Sequence, residues 1–165
     1  MAANPKKQLA LDTNLLLDLA EEKDWAQDFR EEFQTCGYTL RIGPTVVMEL
    51  EWLASSGKEA QRTYAGRAAE RVSAWRITPF ELSAIDQAIA ERFGDALLEL
   101  SLIPDDEFND GLILAESSLA EIPLLVTSDK HLLDIDETAL RLAFNDADIL
   151  PVSPVHPRRL LRAMR

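Results

Sequence analysis

Four carboxylates in this chain stand where an α/β protein can do chemistry: Asp12, Glu49, Asp110 and Asp129. Asp12 ends the apolar run Leu9-Ala10-Leu11 and precedes a segment with Leu15, Leu16, Leu17 and Leu19. That pattern puts it at the carboxyl end of a strand, where open α/β sheets bind ligands. Asp129 follows Leu124-Leu125-Val126-Thr127-Ser128 in the same way, and Thr127 and Ser128 could hydrogen-bond a carboxylate or water beside it. Glu49 lies in a helix after Pro44, on the edge of its apolar stripe; Glu51 borders the opposite edge, and periodicity does not choose between them. Asp110 sits in the first turns of a helix that is apolar nearly all round, with Asp106 four residues earlier as a candidate helper. Each acid has a bland alternative: Asp12 and Asp129 as helix N-caps, Asp110 as a partner of the helix dipole, Glu49 as a solvated edge residue.

Gathered in one crevice, the four would repel. Two like charges ~4 Å apart cost ~1 kcal/mol in water and ~4 kcal/mol at an effective dielectric near 20. A hard divalent cation resolves the repulsion, and Mg²⁺ or Mn²⁺ prefers carboxylate and water oxygens. Two histidines and one cysteine make a zinc site a poor fit. Such a constellation suggests metal-assisted chemistry on a phosphodiester. The run Asp12-Thr13-Asn14 adds polar groups that could orient a bound water, Asn14 among them. Asn14 also argues against an aspartyl-phosphate phosphatase with Asp12 as nucleophile, because the haloacid-dehalogenase pattern Asp-x-Asp-x-Thr needs an acid there.

The elements that must position these residues read as strands alternating with helices. Strands are predicted over 8–11, 39–42, 76–78, 124–127 and 147–152. Helices are predicted over 14–20, around Trp25, Phe29 and Phe33, from Pro44 to Gly57, over 58–74, from Leu82 to Phe93, and from Pro104 to near Glu121. Ile85 and Ile89 mark the apolar side of the helix that starts at Leu82, and Gly94 is expected to break it. Residues 130–133 read as a helical turn, 138–144 as a less defined segment, and about 155–165 as a basic C-terminal helix. The alternation predicts a three-layer α/β/α sandwich on a parallel sheet of four or five strands, in a single domain over 1–165.

Net charge is −12, which disfavours a general affinity for nucleic acid and suits a partner with a basic segment. The cations are clustered: Lys58, Arg62, Arg67, Arg71 and Arg76 in one stretch, Arg158, Arg159, Arg162 and Arg165 in another. Either stretch could follow a phosphate backbone. No apolar run has the length of a membrane span. Lys6 and Lys7 precede an apolar stretch that Asp12, Asn14 and Asp18 interrupt, so no signal peptide and a cytoplasmic location are expected.

With these positions assembled, the chain resembles the PIN-domain nucleases, most closely the VapC-like toxins. The matching pieces are Leu-Asp-Thr-Asn at 11–14, Val-Val-Met-Glu-Leu at 46–50, Asn-Asp-Gly-Leu-Ile-Leu-Ala at 109–115, Thr-Ser-Asp-Lys at 127–130, and Ile-Leu-Pro-Val-Ser-Pro at 149–154 as last strand and exit. Each is short; their order spans nearly the whole chain. The resemblance implies an acidic tetrad of Asp12, Glu49, Asp110 and Asp129, which selects Glu49 over Glu51, with Thr127 as polar helper. It implies Mg²⁺- or Mn²⁺-dependent cleavage of RNA to a 5′-phosphate and a 3′-hydroxyl, a homodimer, and a small antitoxin as partner. The competing expectation is a non-catalytic acidic module that receives a basic segment of a partner.

Overall fold

The computed structural model describes residues 7–165, so Lys6 of the amino-terminal reading lies outside it. In chain order the elements are β1 (Gln8–Leu11), α1 (Thr13–Ala20), α2 (Asp24–Thr35), β2 (Thr39–Ile42), α3 (Pro44–Ser56), α4 (Glu59–Arg71), β3 (Ile77–Pro79), α5 (Ala84–Glu99), α6 (Phe108–Leu119), β4 (Leu124–Val126), α7 (Lys130–Leu133), α8 (Glu137–Asp146), β5 (Ser153–Val155) and α9 (Pro157–Met164). The five strands form one parallel sheet in the order β3-β2-β1-β4-β5. This is the expected three-layer α/β/α sandwich. Among the described residues no helix is long and apolar enough to cross a membrane.

From β1 the chain first builds outward through β2 and β3, then returns to add β4 and β5 on the other side. The strand order therefore reverses between β1 and β4. In open α/β sheets the helices that follow two such strands leave on opposite faces, opening a crevice at the strands' carboxyl ends. Asp12 and Asp129 follow those two strands, in register through Ala10–Leu125 and Leu11–Val126.

The core is apolar and continuous, with Leu9, Leu11, Leu15, Leu16, Leu40, Ile42, Phe29, Phe93 and Phe144 at most 1–2% exposed. Central β1 is buried along nearly its whole length, so it reads as an unbroken apolar run rather than an alternation. Pro44 occupies the first turn of α3, where its missing N–H costs nothing.

Four expectations are corrected. Gly94 does not break α5, which runs through it. The glycine instead permits close packing: a Cβ there would stand 2.6 Å from Phe108 Cε2, and one on Gly111 would stand 2.8 Å from the Gly94 Cα. The chain has a glycine on each helix because α5 and α6 meet backbone to backbone. Ile85 does not mark the buried side of α5: it is 74% exposed, and Ala90, Phe93, Gly94 and Leu97 face the core. On α6, expected to be apolar nearly all round, Ile113 and Leu114 are buried, whereas Phe108, Leu112 and Leu119 are only half-buried.

The last strand is the fourth. It is Ser153–Val155, not 147–152. Helix α8 extends to Asp146, and its end closes with Asp148 at φ 56° and the Ile149 N–H bonded to Phe144 O. That closure uses up the apolar residues that read as a strand. Pro154 is accommodated because β5 is an edge strand, paired only with β4, and an edge position needs no donor on its open side. Smaller shifts are a strand at 77–79 rather than 76–78 and an α4 that ends at Arg71.

Candidate active site

Asp12 has the extended backbone of a helix N-cap, φ −80° and ψ 159°, yet its side chain caps nothing. Its Oδ2 accepts instead from Thr127 Oγ1 at 2.7 Å. The same hydroxyl accepts from the Asp129 N–H at 2.9 Å. One fully buried hydroxyl thus ties the end of β1 to the end of β4. The Thr127 N–H is held in turn by Val155 O of β5. Asp129 does serve as a cap: its Oδ1 accepts from the His131 N–H at 2.8 Å at the start of α7.

The other two acids lean in from helices. Glu49, on α3, accepts from Thr13 Oγ1 at 2.6 Å through Oε1 and from Asn109 Nδ2 at 3.5 Å through Oε2. Both donors neighbour a candidate acid in sequence, Thr13 beside Asp12 and Asn109 beside Asp110. Glu51 is exposed, so the structure makes the choice that periodicity left open. Asp110, in the first turn of α6, is 6% exposed, and its Oδ2 is buried without a hydrogen-bond partner.

The field follows from this crowding. Burial pushes the Asp12 carboxyl up to about 7, aided by the charges of Glu49 and Asp129 and opposed by the Thr127 hydrogen bond. Burial pushes Asp110 up to about 8, with Asp12, Asp129, Glu107 and Glu49 all adding to the rise. All four candidate acids therefore act on one another at one end of the sheet. The inner pair, Asp12 and Asp110, is thereby pushed toward the protonated form near neutral pH.

Asp12, Glu49 and Asp129 commit oxygens to protein donors, and as placed no three Asp, Glu, His or Cys side chains among the described residues stand close enough to share one ion. The donor set nevertheless fits a hard cation. It consists of carboxylates, two of them buried, and a buried carboxylate oxygen with no partner is a group that protein interiors rarely leave unsatisfied.

The helpers expected from sequence fare unevenly. Thr127 is central. Asn14 is half-buried one residue further into α1, and the hydroxyl that reaches Glu49 belongs to Thr13. Asp106 does not share a helix face with Asp110: it lies exposed in a turn two residues before α6 begins. Glu107 takes that place, with its carboxyl raised by burial and by Asp106, Asp129 and Glu49, and opposed by His131.

Two buried acids outside the tetrad hold the scaffold. Glu116 of α6 accepts from the Thr45 N–H at 2.9 Å and from the Thr45 hydroxyl. It thereby caps the start of α3, whose N-cap, Gly43, has no side chain to do so. A Cβ on Gly43 would stand 2.8 Å from Glu116 Oε1. The helix bearing Asp110 thus clasps the helix bearing Glu49. Asp18 of α1 accepts from Ser128 Oγ and Lys23 Nζ, both at 2.7 Å, and pins the loop before Asp129. The sequence signal for Glu116 is an acid in the interior of a largely apolar helix; Asp18 carries none beyond its place in an apolar helix.

The family model described as PIN domain matches residues 9–138. Among solved structures the chain is similar to one in the crystal structure of VapBC2 from Rickettsia felis bound to a DNA fragment from their promoter, at 20% identity and a TM-score of 0.60, covering 89% of this chain and 98% of that one. It is also similar to one in the crystal structure of FitAcB from Neisseria gonorrhoeae, at 17% identity and a TM-score of 0.50, covering 90% and 97%. At these identities the likeness is one of fold. No curated protein sequence matches the chain.

Proposed function

The chain belongs to the PIN-domain family, and from that premise we propose that it is a divalent-metal-dependent endoribonuclease, the toxin of a toxin–antitoxin pair. PIN domains are generally nucleases and typically use divalent metals. The observation that carries the reading is the buried, unpartnered oxygen of Asp110 beside Asp12, in a cleft where every neighbouring acid disfavours ionisation. A cation is the simplest group that would satisfy it.

Asp12, Asp110 and Asp129 would hold Mg²⁺ or Mn²⁺, directly or through water, with Glu49 completing the set. When bound, the ion would lower the pKa of a water and offset charge building on the phosphate. The residues themselves supply position. Thr127 holds Asp12 and the Asp129 backbone in one frame, and its donated bond favours the ionised form of Asp12. Thr13 and Asn109 orient Glu49. Burial of Asp12 and Asp110 keeps bulk water from screening their charges. In-line attack of water on the phosphodiester would leave a 5′-phosphate and a 3′-hydroxyl.

The likeness in fold to VapBC2 supports a small antitoxin as the partner. The exposed apolar side chains Met48 and Trp52, one turn apart on α3, support a protein-covered face, here proposed as the homodimer contact. The test is cleavage of single-stranded RNA with Mn²⁺ by the natural sequence and by Asp12→Asn. Metal-dependent cleavage lost in the variant is expected; equal activity in both would remove Asp12 from the chemistry.

A further inference from the structure

The chain has 29 acidic residues against 17 Lys and Arg, yet helix α9 is a wholly basic segment. Its three arginines Arg158, Arg159 and Arg162 form no ion pair among the described residues; only Arg165, just beyond it, does, with Glu32. Residues 157–165 contain four arginines and no acid. The other basic stretch also has unpaired cations among the described residues, Lys58, Arg62 and Arg76, but acids are interleaved with them: Arg67 turns inward to donate to Ala20 O, Arg71 pairs with Glu22, and Glu59 and Glu70 lie among them.

The free charges of α9 lie on a built surface. The Arg158 guanidinium stands 5.4 Å from the Trp25 ring centre, and the His156 ring 5.3 Å from it. Lys23 reaches the same ring at 5.9 Å, but its charge is taken up by Asp18. Arg162 follows Arg158 by one turn of helix. Both lower the proton affinity of His156, after burial, and Asp18 opposes them, so the local field is positive in an acidic molecule. His156 Nδ1 accepts from the Arg158 N–H, which leaves the Nε2–H of the neutral ring as a donor.

This surface adjoins the acidic cluster. His156 follows β5, whose Val155 O holds the Thr127 N–H, and Thr127 holds Asp12. Ser128, beside Asp129, donates to the Asp18 that pairs with Lys23. The acids and the start of α9 thus lie at the same carboxyl edge of the sheet.

We propose that the face of α9 carrying Arg158 and Arg162, with Trp25 and His156 beside it, holds the phosphates of a single RNA strand on one side of the bond cut at the acidic cluster. This rests on the nuclease reading. A cleft of carboxylates repels an RNA backbone, so the strand needs cationic side chains next to the cleft to hold its phosphates. Arginine matches phosphate with two parallel N–H donors, and Arg158 is already ordered over an aromatic ring.

The test uses the full chain and a labelled single-stranded RNA. Binding is measured in an Asp12→Asn background, and cleavage with Mn²⁺ in the natural one. Arg158→Ala with Arg162→Ala should raise the dissociation constant about tenfold or more. The slope of log affinity against log salt should fall by about 1.4, at roughly 0.7 per lost phosphate contact. KM should rise with kcat unchanged, and the double Arg→Lys variant should restore part of the loss. Lys58→Ala with Arg62→Ala should leave all of these as they were. Unchanged affinity and slope in the Arg158/Arg162 variant, or a loss that follows Lys58 and Arg62 instead, would overturn the proposal and leave the nuclease standing. So would a loss confined to binding of poly-glutamate, which would assign the face to an acidic protein. Absence of both RNA binding and cleavage in every form would remove the nuclease reading, and this proposal with it.

Discussion

Asp12 and Asp110 differ from Asp129 and Glu49 in what the fold does to them. The first two are buried at 3% and 6% exposure, and their carboxyls are raised to about 7 and about 8. The other two lie at the rim, engaged by the backbone of His131 and by Thr13 and Asn109. The inner pair costs stability whenever it is ionised without a cation, while the rim pair is already satisfied by protein donors. A group kept at the expense of folding is a stronger functional signal than one that also builds a helix end.

The largest expected effect tests the inner pair. Asp12→Asn and Asp110→Asn should each lower Mn²⁺-dependent cleavage by ~10³-fold or more, several kcal/mol of charge stabilisation. The rim substitution Asp129→Asn should cost less, and an equal loss in single-turnover cleavage would erase the distinction. Thr127→Val keeps the shape and removes the hydroxyl that joins Asp12 to Asp129. Loss of such an orienting partner typically costs ~10–100-fold in metal affinity or activity, which a Mn²⁺ titration of the variant can read.

The inner pair also predicts a pH dependence. Both folded-state values lie above the ordinary 3.8. The stability tied to them is therefore fully present below about pH 4 and is lost as pH rises through about 7 to 8. Metal-free protein should melt at a lower temperature at pH 9 than at pH 6, and Asp110→Asn should flatten that difference. Added Mn²⁺ should raise the melting temperature more at pH 8 than at pH 6, since binding must displace protons. A melting curve independent of pH across this range would contradict the buried, coupled cluster. The smallest effect concerns the frame around the site: Gly94→Ala should cost ~1–3 kcal/mol in chemical denaturation by forcing α5 off Phe108, with kcat less affected than stability.

Most of the sheet was legible because buried parallel strands are short apolar runs that stop at polar residues, the form of β1 and β4, while β2 shows the other strand pattern, an alternation with Leu40 and Ile42 buried. The last strand was not, because Ile149, Leu150 and Val152 carry the same apolar signal and only the αL closure at Asp148 and the pairing of Ser153–Val155 with β4 decide between them. Gly94 was misread for a related reason: a glycine in a helix looks like a stop until a second helix is seen to need its missing side chain. Asp106 failed as a helper because α6 starts at Phe108, and a shift of helix start by a few residues undoes any argument from i, i+4 spacing.

The amino-acid order by itself determined the alternation of elements, the placement of Asp12 and Asp129 after buried strands, and the likeness to the PIN domain. These are local or linear properties, carried by periodicity and by motifs a few residues long. Only the tertiary structure decided that Glu49 rather than Glu51 faces the cleft, that Glu107 and not Asp106 stands by Asp110, that Glu116 caps a helix 71 residues away in the chain, and that the arginines of α9 stand unpaired beside the acids. Those outcomes depend on which helix face meets which neighbour. That is set by packing among distant segments, where a shift of one residue turns a helical side chain by about 100°.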